Sequence, residues 1–447
     1  MFNKKIFYIL FVIIIIVLII LLQTWGIIDN KFVNPNLSPV KKTLETEEGI
    51  IGHLLMHSQS PSGFRNSWYA SVTDSGVNLQ ISFNNNDPED TRGGDITYDS
   101  KNSPHIVYPD RSAPAIGYIT KISNQWRTEH IFPPNPSSYY EYFLPAVYLD
   151  NEKPVIFFMY LAGSTSYIVR AEKTQQRLGN CGDNFSWICN TIYTYNGLAI
   201  PKVDFDEINK NAYIAILKVR LNQQVLDQEI IYLEIDRDGS IQTQESVIYK
   251  TGNPDDRIWD LSIHYNPISN KPSIAYMEGA PYTANRLRGN IVYATKDNTG
   301  NRCLNSMTWD CFNVESINDL YWLSKYFLGI IQIVHNQNGD NLLIYLGESV
   351  ASGINMKWTS TLNYNFNPQT IALVDANMVY SSTKVIPYAT DSTQNGKILI
   401  FYISPNLNPN LAQYVGTSGT GCLSNSWKCN QIYGAPLNAY PNSLKAV

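Results

Sequence analysis

One pair of short strands recurs six or seven times along this chain, and no other feature limits its fold as strongly. The clearest copy is Asp95-Ile-Thr-Tyr-Asp99, a polar turn ending at Pro104, then His105-Ile-Val-Tyr108. A second runs from Leu144 to Asp150, turns before Pro154, and continues as Val155-Ile-Phe-Phe158. A third joins Asp260–Tyr265 to Ser273-Ile-Ala-Tyr276 through a turn holding Pro272. Each copy heads a self-similar stretch of roughly 50–60 residues built only of strand and turn, which cannot bury its own apolar face. Such units bury it by stacking on one another, so the chain is expected to form a closed array of small sheets.

Each unit divides into four strands, A to D from the inside out. Strand A candidates begin near Asp95, Leu144, Ile200, Asp260, Leu328 and Lys384. The B strands are His105–Tyr108, Val155–Phe158, Ala212–Ala215, Ser273–Tyr276, Leu342–Tyr345 and Ile398–Phe401. C strands follow at Ile116, Ser166, Ile230, Asn290 and Leu411, and Trp126–Ile131 exemplifies strand D. The stretch from Trp358 to Tyr380 is the least regular. The chain ends on Tyr440–Val447, which reads as an A strand with nothing after it. The segments at Gly49–Leu55, Trp68–Val72 and Val77–Phe83 read as B, C and D with no A before them. Joined, the two chain ends make a seventh blade and leave no open edge. The alternative is six blades and a loose tail.

Residues 6–28 are predominantly apolar, and Ile6 to Leu22 alone is long enough to approach the span of a bilayer. Lys4 and Lys5 precede them, and no small-x-small cleavage site follows, so an uncleaved signal anchor is expected rather than a removed signal peptide. This gives a cytoplasmic tip (1–5), a single-pass anchor (6–28), a charged, Pro-containing stalk (29–49) and an extracytoplasmic all-β domain (50–447). That domain would stand at a cell surface, in a periplasm or on a virion membrane.

Six cysteines fall in three close pairs: Cys181 with Cys189, Cys303 with Cys311, and Cys422 with Cys429. Each pair closes a short loop, and its second member follows a Trp by two residues. The pairs read as hairpin disulfides of an oxidising compartment rather than a zinc site, for which Cys-x-x-Cys knuckles are lacking. A net charge of −5 argues against a nucleic-acid partner.

The repeat, roughly Ser-Leu-x-x-Asp, then Pro-x-Ile-x-Tyr, Leu-x-Tyr and Trp, resembles the β-propeller repeat of secreted or surface bacterial and viral proteins. More distantly it resembles sialidase-like propellers. The resemblance covers about 90–447 and implies a seven-bladed propeller, with six blades as the alternative. Sialidase Asp-boxes are absent; Ser71-Val-Thr-Asp-Ser-Gly76 is the nearest segment and lacks the Trp, and Phe64-Arg65 only faintly echoes the sialidase Phe-Arg-Ile-Pro start.

On such a ring, D-to-A and B-to-C connections share one face, and A-to-B turns lie on the other. The A-to-B turns are short, whereas B-to-C connections such as Ser58–Asn66, Pro109–Ala115 and Met277–Asn290 read as long loops. Long loops on a rigid scaffold are where ligands usually bind. Tyr139, Tyr140, Tyr142, Trp259, Tyr321 and Trp322 on that face would stack on sugars or anchor a peptide, or else plug gaps between blades. Arg65, Arg111, Arg257, Arg286 and Arg288 would pair with an acidic sugar, or remain solvated loop charges. Candidate acids there are Asp110, Glu141, Asp255, Asp256 and Glu278, though no motif selects a pair for glycoside chemistry. Asp236-Arg-Asp238-Gly239 resembles part of a calcium loop, but Asp-Gly between strands is first a hairpin turn. No cofactor is expected. Asn184-Phe-Ser186 is a glycosylation sequon.

The leading functional expectation is a membrane-anchored propeller binding a glycan or protein through its loop face. One alternative is a sialidase-like glycoside hydrolase or lyase, which needs arginines and paired acids converging in a pocket. Another is a structural envelope or virion-membrane protein.

Overall fold

The structure, a computed structural model, describes residues 50–446 apart from the connections 60–64, 75, 86–93, 111–112, 114, 134–139, 223–224, 253–256, 284–285, 322–329, 352, 375–387, 394–395 and 436–438. The expected anchor and stalk lie outside the described residues. Among the described residues no helix is long and apolar enough to cross a membrane.

Seven four-stranded antiparallel sheets follow one another. Blade I holds β1 (Ile50–Gln59), β2 (Arg65–Thr73) and β3 (Val77–Asn85), and is completed by the last strand, β28 (Ala439–Ala446). Blade II is β4 (Asp95–Tyr98), β5 (Pro104–Asp110), β6 (Ala115–Ile122) and β7 (Gln125–Ile131). Blade III is β8 (Tyr140–Asp150), β9 (Lys153–Ala162), β10 (Thr165–Lys173) and β11 (Trp187–Asn196). Blade IV is β12 (Leu198–Phe205), β13 (Ala212–Asn222), β14 (Val225–Ile235) and β15 (Ile241–Gly252). Blade V is β16 (Arg257–Asn266), β17 (Lys271–Thr283), β18 (Arg286–Thr295) and β19 (Asp310–Tyr321). Blade VI is β20 (Ile331–His335), β21 (Asn341–Val350), β22 (Gly353–Ser360) and β23 (Gln369–Val374). Blade VII is β24 (Tyr388–Ser392), β25 (Ile398–Ile403), β26 (Pro409–Tyr414) and β27 (Trp427–Gln431). The six-bladed alternative is therefore set aside: β28 pairs antiparallel with β1, Leu54 opposite Leu444, so this last strand belongs to the first blade.

Burial explains the sequence pattern. The B strands β5 and β25 are buried at every position because neighbouring blades cover both of their faces. Hence the runs His105-Ile-Val-Tyr and Ile398-Leu-Ile-Phe show no alternation. The recurring polar residue after strand A has a local role. Asp99, Asp206, Asn266 and Asn336 each accept two backbone N–H bonds from the turn that follows, closing a side-chain-capped turn.

One loop expectation is corrected. Met277–Asn290 is not a long loop; β17 and β18 extend through it, pairing Gly279 with Gly289 and Pro281 with Leu287. A Cβ at Gly279 or Gly289 would overlap the partner's backbone, so two glycines let the strands run close where a loop was expected.

All three expected disulfides form: Cys181 bonds Cys189, Cys303 bonds Cys311, and Cys422 bonds Cys429. Their placement refines the hairpin expectation. They do not bridge two strands of a blade. Cys181, Cys303 and Cys422 lie in the connections between the third and fourth strands of blades III, V and VII. Cys189, Cys311 and Cys429 lie on the fourth strands β11, β19 and β27. Each bond thus clips the connection onto the strand it leads into. Isolated antiparallel bridges accompany the clips, Cys181 with Trp187, Arg302 with Asp310 and Gly421 with Lys428.

The tryptophan of each loop is fully buried. The Trp187 ring lies 5.2 Å from Tyr118 of blade II, and its indole N–H donates to Glu129 at 3.1 Å. Trp309 repeats this on blade IV, with Tyr232 at 5.2 Å and Glu245 at 3.0 Å. Lys173 and Lys296 sit over the two indoles. In blade VII, Trp427 packs instead against Trp358 of blade VI and Tyr414 of its own blade. The blades are thus tied in pairs, II with III, IV with V and VI with VII.

Candidate functional site

The innermost strands of the seven blades surround a channel, and their side chains bind one strand to the next. Asp95 of β4 accepts the backbone N–H of Val147 on β8. Asp204 of β12 accepts that of Tyr265 on β16. Asp260 of β16 accepts those of Ile330 and Ile331 at the start of β20. Gln332 of β20 accepts the N–H of Thr390 on β24, Asp391 of β24 that of Ala446 on β28, and Ser443 donates to Asp95 to return to β4. Inner-strand aspartates therefore join blade II to III, IV to V, V to VI and VII to I. A charge-assisted acceptor suits this task, because inner strands of different blades share no ladder of their own.

Where these strands run into the A-to-B turns, the channel widens into a cavity of about 300 Å³. Its polar lining includes Asp95, Thr97, Asp204, Asp206, Glu207, His264, His335, Asp391, Ser392, Thr393 and Lys445. Tyr148, Phe205, Ile208 and Tyr265 supply apolar wall.

Two networks organise the site. In the first, the Asp204 carboxylate meets His264 Nδ1 at 2.9 Å, His264 Nε2 meets His335 Nδ1 at 2.9 Å, and Ser392 Oγ lies 3.2 Å from His335 Nδ1. The imidazoles stack with centroids 5.1 Å apart. This file crosses blades IV to VII. In the second, the Lys445 ammonium lies 2.9 Å from Glu207 and 3.9 Å from Asp391. Glu207 stands on the blade IV turn and Lys445 on blade I, so this pair reaches across the mouth.

Burial raises the Asp95 and Asp391 carboxyls above the usual range. Burial pushes Asp204 the same way, but His264 and the N–H bonds it accepts outweigh this and bring it below. Burial would lower the Lys445 ammonium, yet Asp391 and Glu207 hold it above the ordinary lysine value.

This cavity opens at the A-to-B turns, opposite the face favoured from loop length. Tyr139, Arg111 and Trp322 of the expected set lie outside the described residues, as do Asp255 and Asp256. Tyr140, Glu141 and Tyr142 fall on β8, Tyr321 ends β19 and Arg65 begins β2. Trp259 is buried, its indole N–H donating to Gly279 O at 2.8 Å while the Arg257 guanidinium covers its ring at 3.7 Å. Arg286 pairs with Asp319 at 2.7 Å, and Arg288 donates to Asn318 O at 3.2 Å. Arg257, Arg286 and Arg288 occupy one end of the blade V sheet, and none of the three lines the channel cavity. Of the expected acids, Asp110 is buried against His130, and Glu278 lies 3.4 Å from Lys250. Asp236 caps a hairpin turn, accepting from Ser240 N–H and the Gln242 amide. Among the described residues no group of three or more His, Cys, Asp or Glu is arranged to hold a metal.

Sequence reasoning missed the cavity residues because it read the short turns as closures only. A signal was available: Asp206-Glu207-Ile-Asn-Lys-Asn211 is a highly charged A-to-B turn.

No protein-family model matches the chain, and no curated protein matches it. Solved structures similar to it include a fungal lectin from Aleuria aurantia with a six-bladed β-propeller fold, at 11% identity and TM-score 0.39 over 77% of this chain and 97% of that one. An exo-1,5-alpha-L-arabinanase from a bovine ruminal metagenomic library is similar at 9% identity and TM-score 0.33, over 63% and 96%. An endo-arabinase from Bacteroides thetaiotaomicron is similar at 13% identity and TM-score 0.34, over 58% and 90%.

Proposed function

We propose that this chain is an extracytoplasmic propeller that binds a glycan at the mouth of its central channel, held to a membrane by residues 6–28. The carrying observation is the cavity of about 300 Å³ lined by carboxylates, imidazoles, hydroxyls and aromatic edges. That volume is at the lower end of small-ligand pockets, and those groups are the acceptors and donors that sugar hydroxyls satisfy. No arginine stands among the described lining residues, which weighs against the sialidase-like alternative and its anionic substrates. Three disulfides fit an oxidising compartment.

A glycan array with the full-length chain in detergent tests the reading. Specific binding that falls at least about tenfold with Glu207→Ala, a loss of roughly 1.4 kcal/mol, is expected. Absence of any bound glycan overturns it. Loss on Arg288→Ala instead moves the site to the opposite end of the blades. The anchor has its own check: the chain should stay in the membrane pellet after alkaline carbonate extraction, and its release would refute membrane insertion.

A further inference from the structure

We infer that the channel mouth selects a ligand bearing an ammonium group, such as an amino sugar without its N-acetyl group, and that Lys445 is the tethered ammonium this ligand displaces. The inference rests on the glycan reading above and names the class of glycan.

The first observation is charge. Among the described residues five acidic side chains line the cavity, Asp95, Asp204, Asp206, Glu207 and Asp391, against the ammonium of Lys445 and two imidazoles, of which His264 pairs with Asp204. Asp95, Asp204 and Asp391 are each held by a backbone N–H of the neighbouring blade, and Asp206 by its own turn. Their positions are set before any ligand arrives, and the burial that raises Asp95 and Asp391 is relieved by a cation placed beside them. Such a mouth repels acidic sugars and offers a neutral sugar no charge to pair with.

The second observation is independent of the acid count: an ammonium already occupies the mouth. Lys445 comes from β28 and lies 2.9 Å from Glu207 and 3.9 Å from Asp391. The contact with Glu207 spans blades I and IV, which do not adjoin, whereas that with Asp391 joins the neighbouring blades I and VII. The Lys445 and Glu207 side chains are 30% and 40% exposed. Asp391 and Glu207 hold this ammonium against burial, so a ligand ammonium that takes its place must make the same two contacts. The Lys445 side chain is long and flexible enough to swing out, leaving Glu207 and Asp391 to a ligand ammonium.

Titration calorimetry of the full-length chain, near pH 6 so that the sugar amine is protonated, provides the test. The probes are a glucosamine trimer and the same trimer fully N-acetylated. The amine form is expected to bind at least about tenfold tighter, to lose that advantage in about 0.5 M salt, and to weaken about tenfold in Glu207→Gln. Lys445→Met should tighten its binding and Lys445→Arg should not. Should Lys445→Met fail to fold, Glu207→Gln on its partly exposed turn still decides the matter. Equal binding of the two trimers overturns ammonium selection and leaves the glycan reading standing. If neither trimer nor any array glycan binds, the glycan reading itself falls.

Discussion

At the residue scale, the polar side chains of the inner strands do more for the fold than for its surface. Asp95, Asp204, Asp260 and Asp391 each join one blade to the next, Asp95 and Asp260 from near the head of their strands and Asp204 and Asp391 from near the end. His130 shows a related device between blades II and III. It lies 3.2 Å from Asp110 and 3.2 Å from Asp183, and the hydrogen bonds to these carboxylates raise it to about 9. A histidine whose folded value exceeds its unfolded one, near 6.5, stabilises fully below that unfolded value and loses its contribution as pH rises through the folded one. The Tm difference between the wild type and His130→Gln should therefore be greatest below about pH 6.5 and vanish above about pH 9. A difference independent of pH would refute the charged pairing. Trp309, fully buried and bonded to Glu245, should cost about 3–5 kcal/mol on replacement by Ala, read from denaturant unfolding.

At the element scale, the disulfide loops belong to a two-blade pattern. Each loop enters the fourth strand of blade III, V or VII and places a tryptophan on the preceding blade. The bonded cysteines stand 8, 8 and 7 residues apart, so each crosslink contributes about 2–3 kcal/mol by restricting the unfolded chain. Replacing Cys303 and Cys311 together by Ser should lower stability by about that amount and leave the β-rich circular dichroism unchanged. Loss of the β signal would mean that the clip holds more than its own loop. The extended hairpin of β17 and β18 shows how two glycines turn an apparent loop into paired strand.

At the scale of the whole molecule, closure by β28 decides whether a ring exists. Without it β1 would present an unpaired inner edge, open to pairing with another chain. Deleting residues 439–447 should convert a monodisperse species into aggregates on size-exclusion chromatography. A monodisperse, equally stable deletion would show that six blades suffice. The same strand brings Lys445 to the channel mouth, so β28 also sets the charge of the cavity.

The sequence by itself determined the strand units, the pairing of nearby cysteines and the closure by both chain ends. All three rest on neighbours in the chain or on an apolar and polar pattern that a one-dimensional string records. It also marked the Asp positions and the unbroken apolar B strands without showing what they do. That Cys189 and Cys429 would sit on outer strands, clipping a loop rather than bridging a hairpin, took the fold to see. The site was not legible. His264 and His335 are 71 residues apart, His335 and Ser392 are 57 apart, and nothing local links them. Glu207 and Lys445 stand 238 residues apart and meet only because the ring closes. Loop length pointed to one face, whereas the described cavity lies on the other. A propeller gathers its inner strand ends at a single mouth, so convergence there depends on the curvature of the ring, which only the tertiary structure supplies.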